Sequence, residues 1–473
     1  MTTPRQVLSP KQKALIINLR DDIYGNFSEI GAGQETVRFF FRAGAASHTI
    51  AKAMSAYDKD YSDAIYGKEP NNRYVSQARL IKMLDHETEL MEERIDRKAY
   101  PNRKFFSYAN TVTTIDYKKT NKGHGWVGIR FQLSELETYN EIILHVCFHE
   151  NDSRLQQETL GVLGTNLIYG AFFYGDDPRT IIESLYDELG KDQIEIDMIN
   201  FSGPRYAYVD NRLMSLQLVK NGMTEAVVFG PHGKNLFPAD ELYKKNLFAV
   251  RGSFRPVNNV NIDMFERGLE LFQKENNFNP DEIRVLFEIT LANLRASGEI
   301  NERDFLDRAD ILGKLGYTVL ISNFSEYYRL IDYFGRLTRG KIGISMGNSI
   351  LDIFDENYYA NLDGGIMEAF GKLFRKNVQI YLYPFLSPST KEILTSENLK
   401  VDENLKDLYK YFKANGKFTD ITNYNENYLS ISGKRILGQI VMGESGWEGK
   451  VPKIVTDMIK ERKMFGYSKG FIN

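Results

Sequence analysis

A single cysteine, Cys147, stands in a chain of 473 residues, so no intrachain disulfide can form and a disulfide scaffold is excluded. Long apolar runs are missing as well. Stretches such as Ile142-Ile143-Leu144 fall far short of the ~18–20 residues that cross a bilayer, which excludes a helical membrane protein. Neither sign of charge is in excess: Lys plus Arg total 60 and Asp plus Glu 63, a formal charge of −3. No global basic field therefore draws in nucleic acid or an anionic membrane. The start MTTPRQVLSPKQKALIINLR lacks the roughly 7–15-residue apolar core of a secretory leader, and the cytoplasm is the expected compartment. What the chain does hold is 42% apolar and 26% charged residues, a globular balance. Its length exceeds the roughly 250–300 residues at which one core stops growing, so two or three packed units are expected.

Periodicity predicts an α/β fold: a mostly parallel sheet with flanking helices and helical N- and C-terminal regions. Residues 1–104 read as mainly helical, with helices at 11–19, 34–46 and 75–97; in the last, Leu80, Met83, Leu84, Leu90, Met91 and Ile95 recur at helical spacing. Residues 105–225 read as an α/β region, with strands at 105–115, 126–131, 141–148 and 194–201 and helices at 156–169 and 176–189. Residues 226–388 alternate most regularly. Strands are expected at 226–229, 247–250, 284–290, 317–322, 341–346 and 378–383, with intervening helices at 263–274, 301–315, 325–337, 349–358 and 365–376. That spacing implies right-handed crossovers, and both a doubly wound sheet and a barrel satisfy it. Residues 389–473 read as a helical C-terminal region.

Parallel sheets collect ligands at the carboxyl ends of their strands. Here those ends carry Glu288 and Thr290, Ser322 and Asn323, Ser345 with Gly347 and Asn348, and the turn Asp363-Gly364-Gly365, a candidate edge for a nucleotide or phosphorylated small molecule. A second cluster runs from Tyr243-Lys244-Lys245 through an apolar strand into Arg251-Gly252-Ser253-Phe254-Arg255-Pro256-Val257. Lys244, Lys245, Arg251 and Arg255 are candidates to clamp phosphates, with Gly252 and Ser253 presenting backbone, because nucleotidyl transfer is mostly positioning and charge stabilisation.

This strand running into Gly-Ser-Phe-x-Pro-Val is similar to the first signature of nucleotidylyltransferases such as nicotinate-nucleotide adenylyltransferase. That family has an acidic residue or Asn between the Phe and the Pro, then His-x-Gly-His; this chain has Arg255, then Asn258, Asn259, Val260 and Asn261. Over nearly its full length the chain also resembles a poorly characterised bacterial group labelled nicotinate-nucleotide adenylyltransferase or TonB-dependent receptor. The segments that carry this likeness are residues 29–34, 197–204, 209–212, 244–256 and 321–323. The resemblance implies adenylyl transfer from ATP, with Mg²⁺, to a nicotinate or nicotinamide mononucleotide-like acceptor in NAD biosynthesis. The receptor label conflicts with the lack of a leader and of serial alternating strands. The other class of function is a non-catalytic structural or self-assembling protein with an enzyme-like fold.

Three further features remain. His145, Cys147 and His149 alternate on one strand face, where imidazole and thiolate suit zinc, copper or iron. His145 and His149 are the candidate metal ligands, Glu195 and Asp197 share a face of another strand, and His124 lies in a loop-like setting. Gly31-Ala32-Gly33, preceded by Glu29-Ile30, resembles the glycine loop of S-adenosylmethionine-dependent methyltransferases, with Asp58 downstream as an acidic ribose partner. The turn-like residues 24–28 before it favour instead a helix-opening loop packed on the core. Finally, Tyr327-Tyr328, Tyr358-Tyr359 and residues 409–412 are candidate association surfaces, and a homo-oligomer is expected.

Overall fold

Two large sheets organise the protein, one in each of two units that meet in sequence between Glu225 and Ala226. The computed structural model describes residues 5–69, 72–135, 137–387 and 389–468. No helix among these residues is long and apolar enough to cross a membrane.

The first unit runs α1 (Pro10–Asn18), β1 (Ile23–Gly31), α2 (Glu35–Ala43), β2 (Ile50–Ala56), α3 (Lys59–Tyr66), α4 (Gln77–Arg94), β3 (Lys104–Thr113), β4 (His124–Phe131) and β5 (Asn140–Phe148). It continues with α5 (Ser153–Phe173), α6 (Pro178–Ser184), β6 (Ile194–Ser202) and α7 (Asn211–Lys220). The sheet order is β2-β1-β3-β4-β5-β6; β1 is parallel to β2 and β3, and the remaining pairs are antiparallel. One face buries Val127, Ile129, Leu144 and Val146 in a core with Leu160, Leu163 and Leu167 of α5. On the other face α4 packs over β1, β3 and β4, and Gly128 leaves room for Leu80 and Leu84.

Strands β1 and β2 lie inside the segment expected to be mainly helical. Residues 24–28 look turn-like because they include Gly25, Asn26 and Ser28, yet each is accommodated within a buried strand. A Cβ on Gly25 would sit 2.2 Å from the Phe106 carbonyl oxygen, so only glycine lets β1 and β3 pair there. Asn26 donates to the Glu87 carbonyl at 3.0 Å, and Ser28 Oγ lies 2.5 Å from the Tyr66 hydroxyl.

The second unit runs β7 (Ala226–Phe229), β8 (Asn235–Leu236), α8 (Pro238–Leu242), β9 (Asn246–Arg251), α9 (Asn259–Asn276), β10 (Ile283–Thr290), α10 (Leu291–Arg295), α11 (Glu302–Lys314), β11 (Thr318–Ser322) and α12 (Tyr327–Leu337). After these come β12 (Ile342–Met346), α13 (Ile350–Ile353), α14 (Gly365–Leu373), β13 (Val378–Leu382), the short hairpin β14 (Phe385–Leu386) and β15 (Ile393–Leu394), α15 (Lys406–Ala414), β16 (Phe418–Asp420), α16 (Gly433–Met442) and α17 (Lys453–Arg462). The sheet order is β16-β13-β12-β9-β10-β11-β7-β8. The strands from β16 to β11 are parallel, and β7 and β8 extend the sheet antiparallel. The sheet is therefore open and doubly wound rather than a barrel: the chain moves outward through β9, β10 and β11, then returns to the far side of β9 with β12.

Apolar side chains cover both faces, as a parallel sheet requires. On one, Phe248, Phe287 and Tyr381 meet Phe265 and Phe272 of α9. On the other, Leu247, Ile344 and Ile380 join Leu330, Phe334, Phe370 and Leu373 of α12 and α14.

Candidate functional site

Where strand order reverses, two adjacent loops leave a parallel sheet in opposite directions and open a crevice. In the second unit this point lies between β9 and β12. Val250 pairs with Ser345, so Arg251, Gly252 and Ser253 leave the sheet beside Gly347 and Asn348. Arg251 also pairs with Glu288 on β10, and Thr290 with Ser322 on β11, which Asn323 follows. Gly364 and Gly365 open α14, beyond β12 in the chain. The expected edge residues thus occupy one end of one sheet, with Gly252, Ser253, Ser345, Gly347 and Asn348 grouped at the crossover.

The four expected cations do not converge. Lys244 and Lys245 precede β9 and Arg251 ends it, a separation of about 20 Å at the ~3.3 Å rise of a strand. Lys244 Nζ lies over the Tyr243 ring, and Lys245 donates to the Asp281 carbonyl at 3.0 Å. Arg251 makes a two-pronged pair with Glu288 at 2.7 and 3.0 Å, donates to the Ser325 carbonyl at 2.9 Å and lies 4.2 Å from the Tyr327 ring centre. Arg255 is paired with Asp304 and donates to Ser297 Oγ at 3.0 Å. A phosphate clamp built from all four is not assembled; sequence proximity across a strand is distance in space.

The loop after β9 is held from below. Buried Arg308 pairs with Asp304 and donates to the Ser253 carbonyl at 3.0 Å and the Asn293 carbonyl at 3.3 Å. At its far end Asn258 caps α9. The Asn258 side chain accepts from the Asn261 N–H at 3.2 Å, and the Asn261 side chain accepts from the Asn258 N–H at 3.1 Å. Asparagine at the two positions where the resembled signature has histidine is therefore used to start a helix. Asn258→Ala should destabilise the protein by about 1 kcal/mol in urea unfolding; an unchanged midpoint would show that the cap carries no weight.

Beside α9, a cleft of about 510 Å³ is lined by Asn259, Asp263, Glu266, Arg267, Tyr424 and Glu426 among others. Asp263 accepts from the Tyr383 hydroxyl at 2.6 Å and from the Asn425 N–H at 3.0 Å. The lining is rich in acids and amides, which suits hydroxyl and amine donors better than phosphate.

In the first unit, the histidine-bearing face differs from its expected form. Cys147 pairs with His124 and Glu195, and His145 with Trp126 and Met198. His145 Nδ1 lies 2.6 Å from Asp197 Oδ1, and its Nε2 lies 3.2 Å from His124 Nδ1. Cys147 Sγ donates to Asp197 Oδ2 at 3.8 Å. His149 instead faces Glu195 at 3.7 Å. The group that comes together is His145, Cys147 and Asp197, with ligand atoms within 4.8 Å of one another, not His145 with His149. Burial, then the Asp197 and Glu195 charges, push the Cys147 thiol up, which argues against a free nucleophilic thiolate.

Glu29, at the end of β1, was legible only as part of a motif. It is buried, its Oε1 has no partner, and burial pushes its pKa up to about 8, with the Val37 backbone N–H opposing. The glycine loop that follows packs on β3. A Cβ on Gly31 would meet the Val112 carbonyl oxygen at 2.1 Å, and one on Gly33 the Asn110 side chain at 1.8 Å. Asp58 caps α3 by accepting from the Tyr61 N–H. Of the tyrosine pairs proposed as association surfaces, Tyr327, Tyr359 and Tyr409 are buried in the second unit's core.

The class these observations define is an α/β protein with two sheets, the second open, doubly wound and carrying a polar carboxyl edge. No family model and no curated protein matches the chain. Among solved structures it is similar to a competence-damaged protein (CinA) superfamily protein from Enterobacter cloacae, at 11% identity and a TM-score of 0.26, over 36% of this chain and 95% of that one. A competence or damage-inducible protein from Enterobacter asburiae gives 12% and 0.26, over 35% and 98%. The competence/damage inducible protein CihA from Agrobacterium tumefaciens gives 13% and 0.20, over 31% and 82%. Likeness at this level carries nothing from those proteins to this chain.

Proposed function

We propose that the second unit binds a nucleotide or phosphorylated small molecule in the crevice between β9 and β12, and does so without adenylyl transfer. The supporting observation is the reversal of strand order between β9 and β12: Val250 pairs with Ser345, so the Gly252-Ser253 and Gly347-Asn348 turns follow from neighbouring strand ends and diverge around a crevice. The Gly252 N–H donates to the Glu288 carbonyl at 3.0 Å, so phosphate oxygens would take backbone N–H groups of Ser253 and of the 347–348 turn, while the acidic and amide cleft along α9 suits the sugar hydroxyls and an amino-bearing base. Binding is favoured over transfer because Arg251 and Arg255 are committed to Glu288 and Asp304, the lysines lie at the other end of β9, and Asn258 and Asn261 form the helix cap. Mg²⁺ enters this reading only with the phosphates of bound ATP.

Calorimetric titration with ATP and Mg²⁺, NAD, and nicotinate mononucleotide should give saturable binding of at least one of them. The three together should release no pyrophosphate. A Cβ on Gly347 would have only the Tyr383 carbonyl oxygen nearby, at 3.8 Å. Gly347→Glu should therefore add a repelling charge and weaken binding about 10-fold or more without lowering the melting temperature. Absence of heat with every ligand would overturn the binding reading, and pyrophosphate release would overturn its non-catalytic part.

A further inference from the structure

We infer that His145, Cys147 and Asp197 bind a transition-metal dication of borderline softness, with zinc the expected occupant. The site lies in the first unit and is independent of the nucleotide reading.

The ligand set comes first. One imidazole, one thiol sulfur and one carboxylate form a mixture that favours zinc, cobalt, copper or iron over magnesium or calcium, which take oxygen alone. Spacing comes next. Bonds of ~2.0–2.1 Å to nitrogen or oxygen and ~2.3 Å to sulfur place the ligand atoms of a tetrahedral site roughly 3.3–3.8 Å apart. The Cys147 sulfur and Asp197 Oδ2 are already 3.8 Å apart. His145 Nδ1 and Asp197 Oδ1, at 2.6 Å, share a hydrogen bond that an entering cation would replace by a small opening of the carboxylate.

The backbone supplies an independent observation. Pairing along β5 and β6 shifts register between His145 and Val146: His145 faces Met198, Val146 faces Ile196, and Asp197 is left as the extra residue. Without this bulge Asp197 would stand opposite Val146, which belongs to the apolar core. The bulge keeps Ile196 in that core and turns the Asp197 carboxylate to the face of His145 and Cys147, as bulges beside functional sites do.

The surroundings also match a metal centre. His124 Nδ1, 3.2 Å from His145 Nε2, orients the imidazole from its other nitrogen, a common outer partner of a metal-bound histidine. The Trp126 ring, edge-on to His145 at 4.9 Å, fixes its plane. Cys147 and Asp197 remain partly exposed, so an ion can enter, and three protein ligands leave a fourth position for water or a substrate atom.

The whole protein, purified without chelators, should carry about one zinc per chain by mass spectrometry. Its cobalt-substituted form should show a thiolate-to-cobalt charge-transfer band, which in this protein can arise only from Cys147. Cys147→Ser should abolish that band, and Cys147→Ser and Asp197→Asn should each weaken zinc binding about 10-fold or more, with unchanged circular dichroism. His149→Ala should leave binding unaltered. A cobalt complex with no charge-transfer band, zinc binding insensitive to Cys147→Ser and Asp197→Asn, or an equal loss in His149→Ala would overturn the site.

Discussion

Glu288→Ala is expected to destabilise the second unit by about 3–5 kcal/mol, because it leaves the Arg251 guanidinium buried without its counter-ion. Glu288 is fully buried and accepts from Arg251 twice and from Ser322 Oγ at 2.6 Å. Truncating it strands all these donors at once. Replacing both partners, Arg251→Met with Glu288→Leu, should recover most of the loss, since buried ion pairs give little over apolar residues of similar volume. Urea unfolding of the single and double variants measures this directly. A single-variant loss under about 1 kcal/mol would mean that solvent screens the pair and that Arg251 is available for a ligand, contrary to the geometry.

The second large effect concerns Glu29. Its folded pKa of about 8 lies above the ordinary 4.5, so between these values the folded state holds a proton that the unfolded chain has released. The protonated carboxyl contributes fully below pH ~4.5, and stability falls as pH rises through about 8. At ~1.4 kcal/mol for each pKa step the loss amounts to a few kcal/mol. Glu29→Gln cannot ionise. It should flatten the wild-type decline between pH 5 and 8 and melt several degrees above wild type at pH 8. The same slope in both proteins would show that Glu29 titrates normally.

The second unit was the more legible in sequence, and the reason is burial. The centres of its parallel strands, 247–250, 285–287, 319–321 and 342–344, carry apolar residues or glycine on both faces because helices cover both sides of a parallel sheet, and such runs show without an alignment. In the first unit, β1 is equally buried but carries Gly25, Asn26 and Ser28. Their partners Phe106, Glu87 and Tyr66 are distant in sequence, so nothing local distinguishes the strand from a turn.

Site residues divided along the same line. The edge residues Ser345, Gly347 and Asn348 follow from a rule about strand ends that needs only strand positions, whereas Gly252 and Ser253 follow from the Gly-Ser-Phe-x-Pro-Val run after β9. The four cations were grouped by adjacency in the chain, which a strand of six residues undoes. Asp197 could not be placed beside His145 because the β6 bulge that aims it follows from pairing, not from composition. His149 looked like a ligand for the converse reason: the alternation that puts it on the right face does not bring it to the right distance.

The crevice at the strand-order reversal of the second unit is where a ligand is expected. A crystal structure of the protein soaked at saturating ATP with Mg²⁺, and another with NAD, tests it most directly. The prediction is ligand density at the carboxyl edge between β9 and β12, with phosphate oxygens on backbone N–H groups of Ser253 and of the 347–348 turn, and with the Arg251–Glu288 pair and the Gly252 N–H to Glu288 carbonyl bond unbroken. Density elsewhere, or a crevice empty with both ligands, would contradict it.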